Sequence, residues 1–382
     1  MEQTENRVMR HATLNVDGGD RNTAIRELLT QLLRSGFVQA VLVPKPLADG
    51  SAVVQSLVVD PEQLEGATPI APTMPVQSAR ILSDLTRTPI EGRIAAVLKP
   101  CELRAAVELA KFLQVDLENV VTISLDCFGT YDVTEYGDMS ADERVDALQL
   151  LAGGSNGAQG DQLREACRMC SRPIPIGVDL GVDLLSGSSG SIPLSLSDRF
   201  ADELAEALSL EITESGPEGR ATAVEAFVAK RKEYREKALG DFAEETGSIE
   251  SLMQTLSACI GCHNCMAVCP ICYCKECVFE SSIFEHRADQ FLSWAKRKGV
   301  LRVPTDTLMF HLTRLSHMGT SCVGCGVCES ACPNDVPVAS LFNLLGGKLQ
   351  EMFEYVPGED PTVDPPVASF KEEELVEVAP NE

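Results

Sequence analysis

A chain of 382 residues has room for two or three domains at about 150 residues each, and it can bury an ample core without disulfide staples. Lys plus Arg number 32 against 57 Asp plus Glu, a net charge of −25. That balance argues against nucleic-acid backbones and anionic membrane surfaces as partners and suits docking on a basic protein face. The chain opens without a basic start and apolar stretch, and no apolar run approaches the roughly 20 residues of a membrane span. The expectation is therefore a cytoplasmic protein without membrane insertion.

Residues 1–195 alternate in the manner of an α/β domain, a mainly parallel sheet with helices. Ile25, Leu28, Leu29, Leu32 and Leu33 share one face of a predicted helix over 21–34. Strands are predicted at 38–43 and 52–59, a helix at 76–85, a strand at 94–98, a helix at 100–113 and a strand at 120–125. Residues 152–161 and 186–191 are Gly/Ser-rich and read as loops. From 196 to 258 the chain turns helical and charged, with one long surface helix expected over 221–245 as a connector. Residues 259–345 form a cysteine-rich module. The chain ends in an acidic, Pro-containing tail, 346–382, whose part after Pro357 is expected to be disordered or draped on a partner.

Eleven of the fifteen cysteines lie between Cys259 and Cys332. Clustered cysteines in a long chain without a signal peptide point to metal or redox chemistry rather than disulfides. Cys259-Ile-Gly-Cys262-His-Asn-Cys265-Met-Ala-Val-Cys269-Pro270 is one run; Cys322-Val-Gly-Cys325-Gly-Val-Cys328-Glu-Ser-Ala-Cys332-Pro333 is the second. Each fits the C-x2-C-x2-C-x3-C-P spacing of two-cluster ferredoxins, in which the fourth cysteine serves the other cluster. Cys259, Cys262, Cys265 and Cys332 are thus assigned to one 4Fe-4S cluster, and Cys322, Cys325, Cys328 and Cys269 to the other. A pair of zinc sites is the alternative, but zinc modules use paired Cys-x2-Cys or Cys/His sets instead of this rhythm. The predicted fold here is a two-cluster ferredoxin-like α+β or helical domain, with a helical insert at 278–317 between the runs.

Cys272, Cys274 and Cys277 follow the first run and read either as reduced thiols packed in the core or as capping thiols, substitutes in the first cluster, or a further site completed from outside. His263, His286, His311 and His317 read as surface or packing residues, with His263 placed to tune a cluster potential. Cys101 and Cys127 each follow a predicted strand, at the carboxyl edge of the sheet where open α/β folds place ligands. Cys101 also opens a helix, so its thiol is expected to have a lowered pKa. With Cys167-Arg-Met-Cys170 these either hold a third cluster or are buried structural cysteines.

The sequence resembles the beta subunits of coenzyme F-420-reducing hydrogenases and of methanogen-type formate dehydrogenases, over roughly residues 10–358. The matching pieces are Gly18-Gly19, Ala71-Pro72-Thr73, Lys99-Pro100-Cys101, Asn119-Val120 through Asp126-Cys127, Cys167-Arg-Met-Cys170, the stretch Cys269 to Cys277, Arg314-Leu-Ser-His317 and Tyr355-Val-Pro-Gly358. The resemblance implies a third cluster on Cys101, Cys127, Cys167 and Cys170. It also implies FAD in the N-terminal domain, with Gly18, Gly19, Thr23, Lys99, Gly187 and Gly190 in contact, and the deazaflavin coenzyme F-420 as a substrate. Asp20-Arg21-Asn22 and Ser191-Ile-Pro depart from the family at those contacts; the only Trp is Trp294, so a family Trp is missing. The implied role is an electron-transfer subunit of an oxidoreductase, partnered by a formate dehydrogenase or hydrogenase catalytic subunit or by heterodisulfide-reductase-like subunits. A flavin-free three-cluster relay is the alternative. No Ser/His/Asp set, Walker loop, paired carboxylates or molybdenum or nickel ligands occur, so no catalytic residue is assigned.

Overall fold

The computed structural model describes residues 9–152, 162–284, 287–299 and 305–369. Most of the Gly/Ser-rich stretch at 152–161, His286 and the acidic end of the tail lie outside the described residues.

Seven strands form one sheet: β1 (Met9–Asn15), β2 (Ala40–Pro46), β3 (Val53–Val58), β4 (Ile94–Leu98), β5 (Val120–Leu125), β6 (Leu180–Val182) and β7 (Ser191–Ser197), in the order β1-β7-β6-β5-β4-β2-β3. The pairs β2/β4, β4/β5 and β5/β6 run parallel, while β1/β7, β6/β7 and β2/β3 run antiparallel. The sheet is therefore mixed, parallel only at its centre, and not mainly parallel as the α/β alternation suggested. The Gly/Ser loop leads straight into β7 at Ser191, whose last residues pair with β1 and β6.

The central strands are buried on both faces, which is why they read as unbroken apolar runs. Val41, Val43, Ala95, Val97, Val121 and Ile123 point to one core; Ala40, Leu42, Ile94, Ala96, Leu98 and Val120 point to the other. That is the two-residue period of the pleat. The first core is closed by α1 (Arg21–Arg34), through Ile25, Leu28, Leu29 and Leu32, and farther along the chain by Leu204 and Leu208. Asp20 caps α1, accepting from the Thr23 backbone N–H at 3.1 Å and from its hydroxyl at 2.6 Å. The second core is closed by α2 (Ser78–Leu85) and α3 (Pro100–Lys111). Buried Glu102 ties these two helix starts together, accepting from the backbone N–H groups of Lys99 at 2.8 Å and Ser78 at 3.0 Å.

Short helices α4 (Val133–Asp138), α5 (Ala141–Ala152) and α6 (Glu165–Arg168) follow β5, and α7 (Ala201–Leu208) follows β7. No strand follows β7 among the described residues. Helix α8 (Arg220–Glu245) does more than connect: its Phe227 is buried in the first core and its Phe242 in the second. Beyond it lie α9 (Ile249–Thr255), α10 (Asn264–Ala267), α11 (Ala288–Lys298), α12 (Thr305–Met318), α13 (Val327–Ser330) and α14 (Val338–Met352). The insert between the cysteine runs is helical, as predicted. Leu315, Met318, Val323, Leu341 and Phe342 join the second core, so the cysteine-rich region packs on the α2/α3 side of the sheet.

The segment after α14 is pinned to α3. Fully buried Glu108 accepts from the Tyr355 hydroxyl at 2.6 Å and from the Gly358 backbone N–H at 2.9 Å. Gly358 has φ +69°, and a Cβ there would lie 1.9 Å from the Arg104 carbonyl oxygen, so only glycine fits.

Candidate metal centres

The two cysteine runs fold alike. Gly261 and His263 in the first, and Gly324 and Gly326 in the second, all take left-handed backbone (φ +59° to +70°). Each run then enters a one-turn helix, α10 or α13, that carries its last cysteine away from the preceding three. Tight turns before a helical turn are what the 2-2-3 spacing of the thiols requires.

The thiols fall into three neighbourhoods. Cys259, Cys262, Cys265 and Cys332 line one cavity of about 20 Å³ together with His263, Phe310 and His311. Burial pushes the Cys265 thiol up to about 11; Arg314 opposes the rise, and Cys259, Cys262 and Cys332 add to it. Cys259 is raised first by burial and then by Cys332 and Cys262. Backbone N–H groups of Gly261 and Val336 point at the Cys259 and Cys332 sulfurs, at 3.5 and 3.4 Å.

Cys322, Cys325, Cys328 and Cys269 form the second neighbourhood. Burial pushes Cys322 up to about 11 and Cys325 up to about 12, with the Cys269 charge adding in each case. Cys328 rises well above its ordinary value through burial, Cys325 and Cys269. Cys269 itself is held below its ordinary value, first by a hydrogen bond from the Cys272 thiol, with burial opposing and Arg314 adding. The long-range partner of each run, Cys332 for the first and Cys269 for the second, is thus an electrostatic neighbour of the expected trio.

The third neighbourhood holds Cys101, Cys127, Cys167 and Cys170. Cys101 opens α3 just after β4 and Cys127 follows β5, both at the carboxyl edge of the sheet. Cys101 is raised well above its ordinary value by burial, then by Cys325, Glu102, Cys127 and Cys170. The lowered pKa expected from its helix N-terminus is therefore overturned: burial among other thiols outweighs the helix dipole. Burial also pushes Cys127 up, with Lys99 opposing and Cys167 adding. Burial raises Cys167 as well, but Arg164, Thr130 and Arg231 more than offset it and leave the thiol below its ordinary value. Cys127 is held in place because its neighbour Asp126, fully buried, is clamped by the Arg220 guanidinium at 2.9 Å on both oxygens and accepts from the Leu184 N–H at 3.0 Å.

Two buried arginines, missed in the sequence, stand at the junctions. Arg164, 8% exposed, donates to the Cys325 carbonyl at 3.4 Å, the Cys167 sulfur at 3.5 Å and the Thr130 hydroxyl at 2.8 Å. Its charge is held by Cys167, Cys101 and Cys325 against burial, so it sits between the third and second neighbourhoods. Arg314, 4% exposed, donates to the Cys265 sulfur at 3.1 Å and carbonyl at 3.0 Å. It is held against burial by Cys265, Cys269, Cys272 and Cys328, between the first and second. A spacing pattern carries no signal for Arg164; Arg314 falls within a segment quoted above but without a role.

Among the described residues, no three His, Cys, Asp or Glu side chains are drawn together tightly enough to surround a single metal ion. The fit of polynuclear clusters rests instead on orphaned polar atoms. Among the described residues, eight buried side-chain polar atoms lack a partner, and five of them belong to His311, Arg314, Thr320 and Ser321, in the short stretch that leads into Cys322. Buried groups without partners are rare and call for an acceptor; cluster sulfides supply several. Of the remaining three, Cys274 is exposed, while Cys272 and Cys277 both pack on the group of Phe279 and Phe310, with Cys272 also against Met318.

The residues named for a flavin fit it poorly. Gly18, Gly19, Gly187 and Gly190 do meet at one corner, where Val16 N–H donates to the Gly190 carbonyl at 2.9 Å. Arg21 closes that corner, donating to the carbonyls of Ala152, Leu184, Gly187 and Ser188 at 2.7–3.2 Å. Thr23 is committed to Asp20, and Lys99 to the Ala71 carbonyl at 2.6 Å. The cleft at the sheet edge between them, lined by Ile70, Lys99, Cys127 and Phe128, holds about 20 Å³, whereas ligands of this class occupy roughly 300–1,000 Å³. A cluster bonded to thiolates sits inside the van der Waals shell of its sulfurs; a flavin does not. The roomier space, about 400 Å³, opens instead beside Cys170 and Cys322 and is lined by Arg104, Arg172 and Arg235.

Among the described residues, no helix is long and apolar enough to cross a membrane. Residues 258–336 match the family described as the 4Fe-4S dicluster domain. A chain of the xenon-derivatised F-420-reducing NiFe hydrogenase complex from Methanosarcina barkeri superposes with TM-score 0.46 at 12% identity, covering 64% of this chain and 94% of that one. The F-420-dependent formate dehydrogenase subunit beta of Methanocaldococcus jannaschii is 26% identical over 396 aligned positions, 96% of this chain and 97% of that protein. The F-420-dependent formate dehydrogenase 1 subunit beta of Methanococcus maripaludis is 27% identical over 92% of this chain and 94% of its own length. The resemblance read from the motifs is thus shown: this chain is homologous, almost end to end, to the beta subunits of F-420-dependent formate dehydrogenases.

Proposed function

We propose that this chain is a three-cluster electron relay, the iron–sulfur subunit of a formate dehydrogenase- or hydrogenase-type oxidoreductase complex. The observation that carries the reading is the end-to-end order of the thiol neighbourhoods. Arg164 joins the third to the second, and Arg314 joins the second to the first. Cys101, Cys127, Cys167 and Cys170 hold one 4Fe-4S cluster at the sheet edge. Cys322, Cys325, Cys328 and Cys269 hold the next, and Cys259, Cys262, Cys265 and Cys332 the last, in a ferredoxin-like pair. Such clusters pass single electrons. The protein's part is to bury the thiols, to set buried cations against a charge that grows on reduction, and to point N–H groups at sulfur.

The two ends differ in access. Cys262 and Ile260 are exposed at the last centre, with Ile260 67% open, and the catalytic subunit or a heterodisulfide-reductase-like acceptor docks there. No step passes through a flavin in this reading. The four glycines gathered around Arg21 favour the flavin-bearing alternative, which requires that corner to open. Anaerobically isolated protein should hold about twelve irons per chain, co-purify with a catalytic subunit, and release no flavin on acid extraction. Iron near eight removes the sheet-edge cluster, and stoichiometric flavin decides for the alternative.

A further inference from the structure

Helix α12 presents two side chains, three residues apart and therefore on one face, to the thiols of the first run. Arg314 is one, already hydrogen-bonded to the Cys265 sulfur. The other is His311. It is 1% exposed, it lines the same cavity as Cys259, Cys262, Cys265 and Cys332, and neither of its ring nitrogens has a hydrogen-bond partner. The rest of its surroundings offers it none: Phe310 lies against it at 5.1 Å between ring centroids, and Val336 and Val338 complete the apolar wall. A buried imidazole with nothing to bond gives up its hydration without compensation. A Leu or Phe would fill this position without that cost, and the cavity that the ring lines is the one between the four thiols.

We propose that the His311 imidazole donates an N–H hydrogen bond to a sulfur of the cluster held by Cys259, Cys262, Cys265 and Cys332, and thereby raises that cluster's reduction potential. The inference rests on the relay reading for the presence of that cluster. Reduction adds one electron to the cluster, and no bond to the protein forms or breaks. The donated hydrogen bond strengthens as negative charge builds on sulfur, so it stabilises the reduced state more than the oxidised one. His311 is a positioning residue that acts on the cluster without ligating it. Its neighbour His263, in the same loop as Cys262, stacks on Phe310 at 4.5 Å and is only half-buried, which leaves His311 as the buried donor.

The test uses the full chain, isolated anaerobically with its clusters. EPR-monitored redox titration of the wild type is compared with His311→Leu, which keeps the volume and removes the donor, and His311→Gln, which restores one. Wild-type protein grown on 15N-histidine adds a pulsed-EPR readout. The expected result is a negative shift of one centre only in His311→Leu, equivalent to about a tenfold loss in its reduction equilibrium, or ~59 mV for one electron. His311→Gln should recover at least half of it. A weak 15N coupling to that centre should be present in the wild type and absent from labelled His311→Gln. Unchanged potentials at full iron content overturn the proposal. Should His311→Leu lose the cluster, the labelled wild type decides: no 15N coupling, or a coupling as large as a bonded ligand gives, overturns it. Wild-type protein that lacks the iron for this cluster defeats the relay reading instead, before any variant is compared.

Discussion

The two cysteine runs share a backbone and differ in what surrounds it. At the position after the second cysteine, both chains turn left-handed, His263 at φ +59° and Gly326 at φ +70°. His263 keeps a side chain there because the ring has Phe310 to stack on and solvent beyond. Gly326 cannot: a Cβ would lie 2.1 Å from the Ala166 Cβ, on the turn that carries Cys167. The difference teaches which run lies inward. The second run is pressed against the sheet domain and the first faces outward, although their cysteine spacing is the same.

Substitutions at the inner run should cost most. Gly326→Ala adds left-handed strain of about 1–2 kcal/mol to overpacking of about 1–3 kcal/mol against Ala166. The summed loss should appear as a lowered midpoint in anaerobic chemical unfolding, with slowed electron passage between the sheet-edge and inner centres. His263→Gly, the reciprocal change, trades a stack worth about 0.5–1.5 kcal/mol for relief of similar strain, so its unfolding midpoint should hardly move. Equal effects at the two positions would break the comparison.

The arginines sharpen it. Arg164→Met should shift the potentials of the sheet-edge and inner centres negative and leave the outer one alone. Arg314→Met should do the same to the inner and outer centres and spare the sheet-edge one. Each arginine donates to one ligand sulfur, Arg164 to Cys167 and Arg314 to Cys265, and these charged bonds strengthen on reduction, so those two centres should move by about 60 mV, the one-electron equivalent of a tenfold change, and the inner centre, reached by charge alone, by less. EPR-monitored titration of both variants reads this, and any shift at the spared centre contradicts the assigned order.

Smaller still is the expected effect of Tyr355→Phe. It removes a hydroxyl donor from buried Glu108 and should lower stability by about 0.5–1.5 kcal/mol. The carboxylate keeps the Gly358 N–H and the nearby Lys111 ammonium, so the cluster potentials should stay in place while the thermal midpoint falls.

Much of this was legible in the residues. The 2-2-3 spacing announced both runs, the Ile25–Leu33 face announced α1, and the doubly buried strands announced themselves as apolar runs. The edge of the sheet was not legible. β1 reads Met-Arg-His-Ala-Thr-Leu-Asn, polar on its open side, and β7 reads Ser-Ile-Pro-Leu-Ser-Leu-Ser, with a proline and serines that resemble loop. Both are strands because each pairs with the other, a long-range fact that local pattern cannot hold. The same holds for Arg164, Thr130 and His311. Nothing in their neighbours' identities marks them, and only folding brings 34 residues of separation to a 2.8 Å hydrogen bond between Arg164 and Thr130.

The central claim is three 4Fe-4S clusters in one chain. Iron and acid-labile sulfide, measured per chain on anaerobic protein and paired with a spin-quantified reductive titration, test it most directly. The account predicts about twelve irons and three one-electron centres; zinc in place of iron, or only two centres at full occupancy, would contradict it.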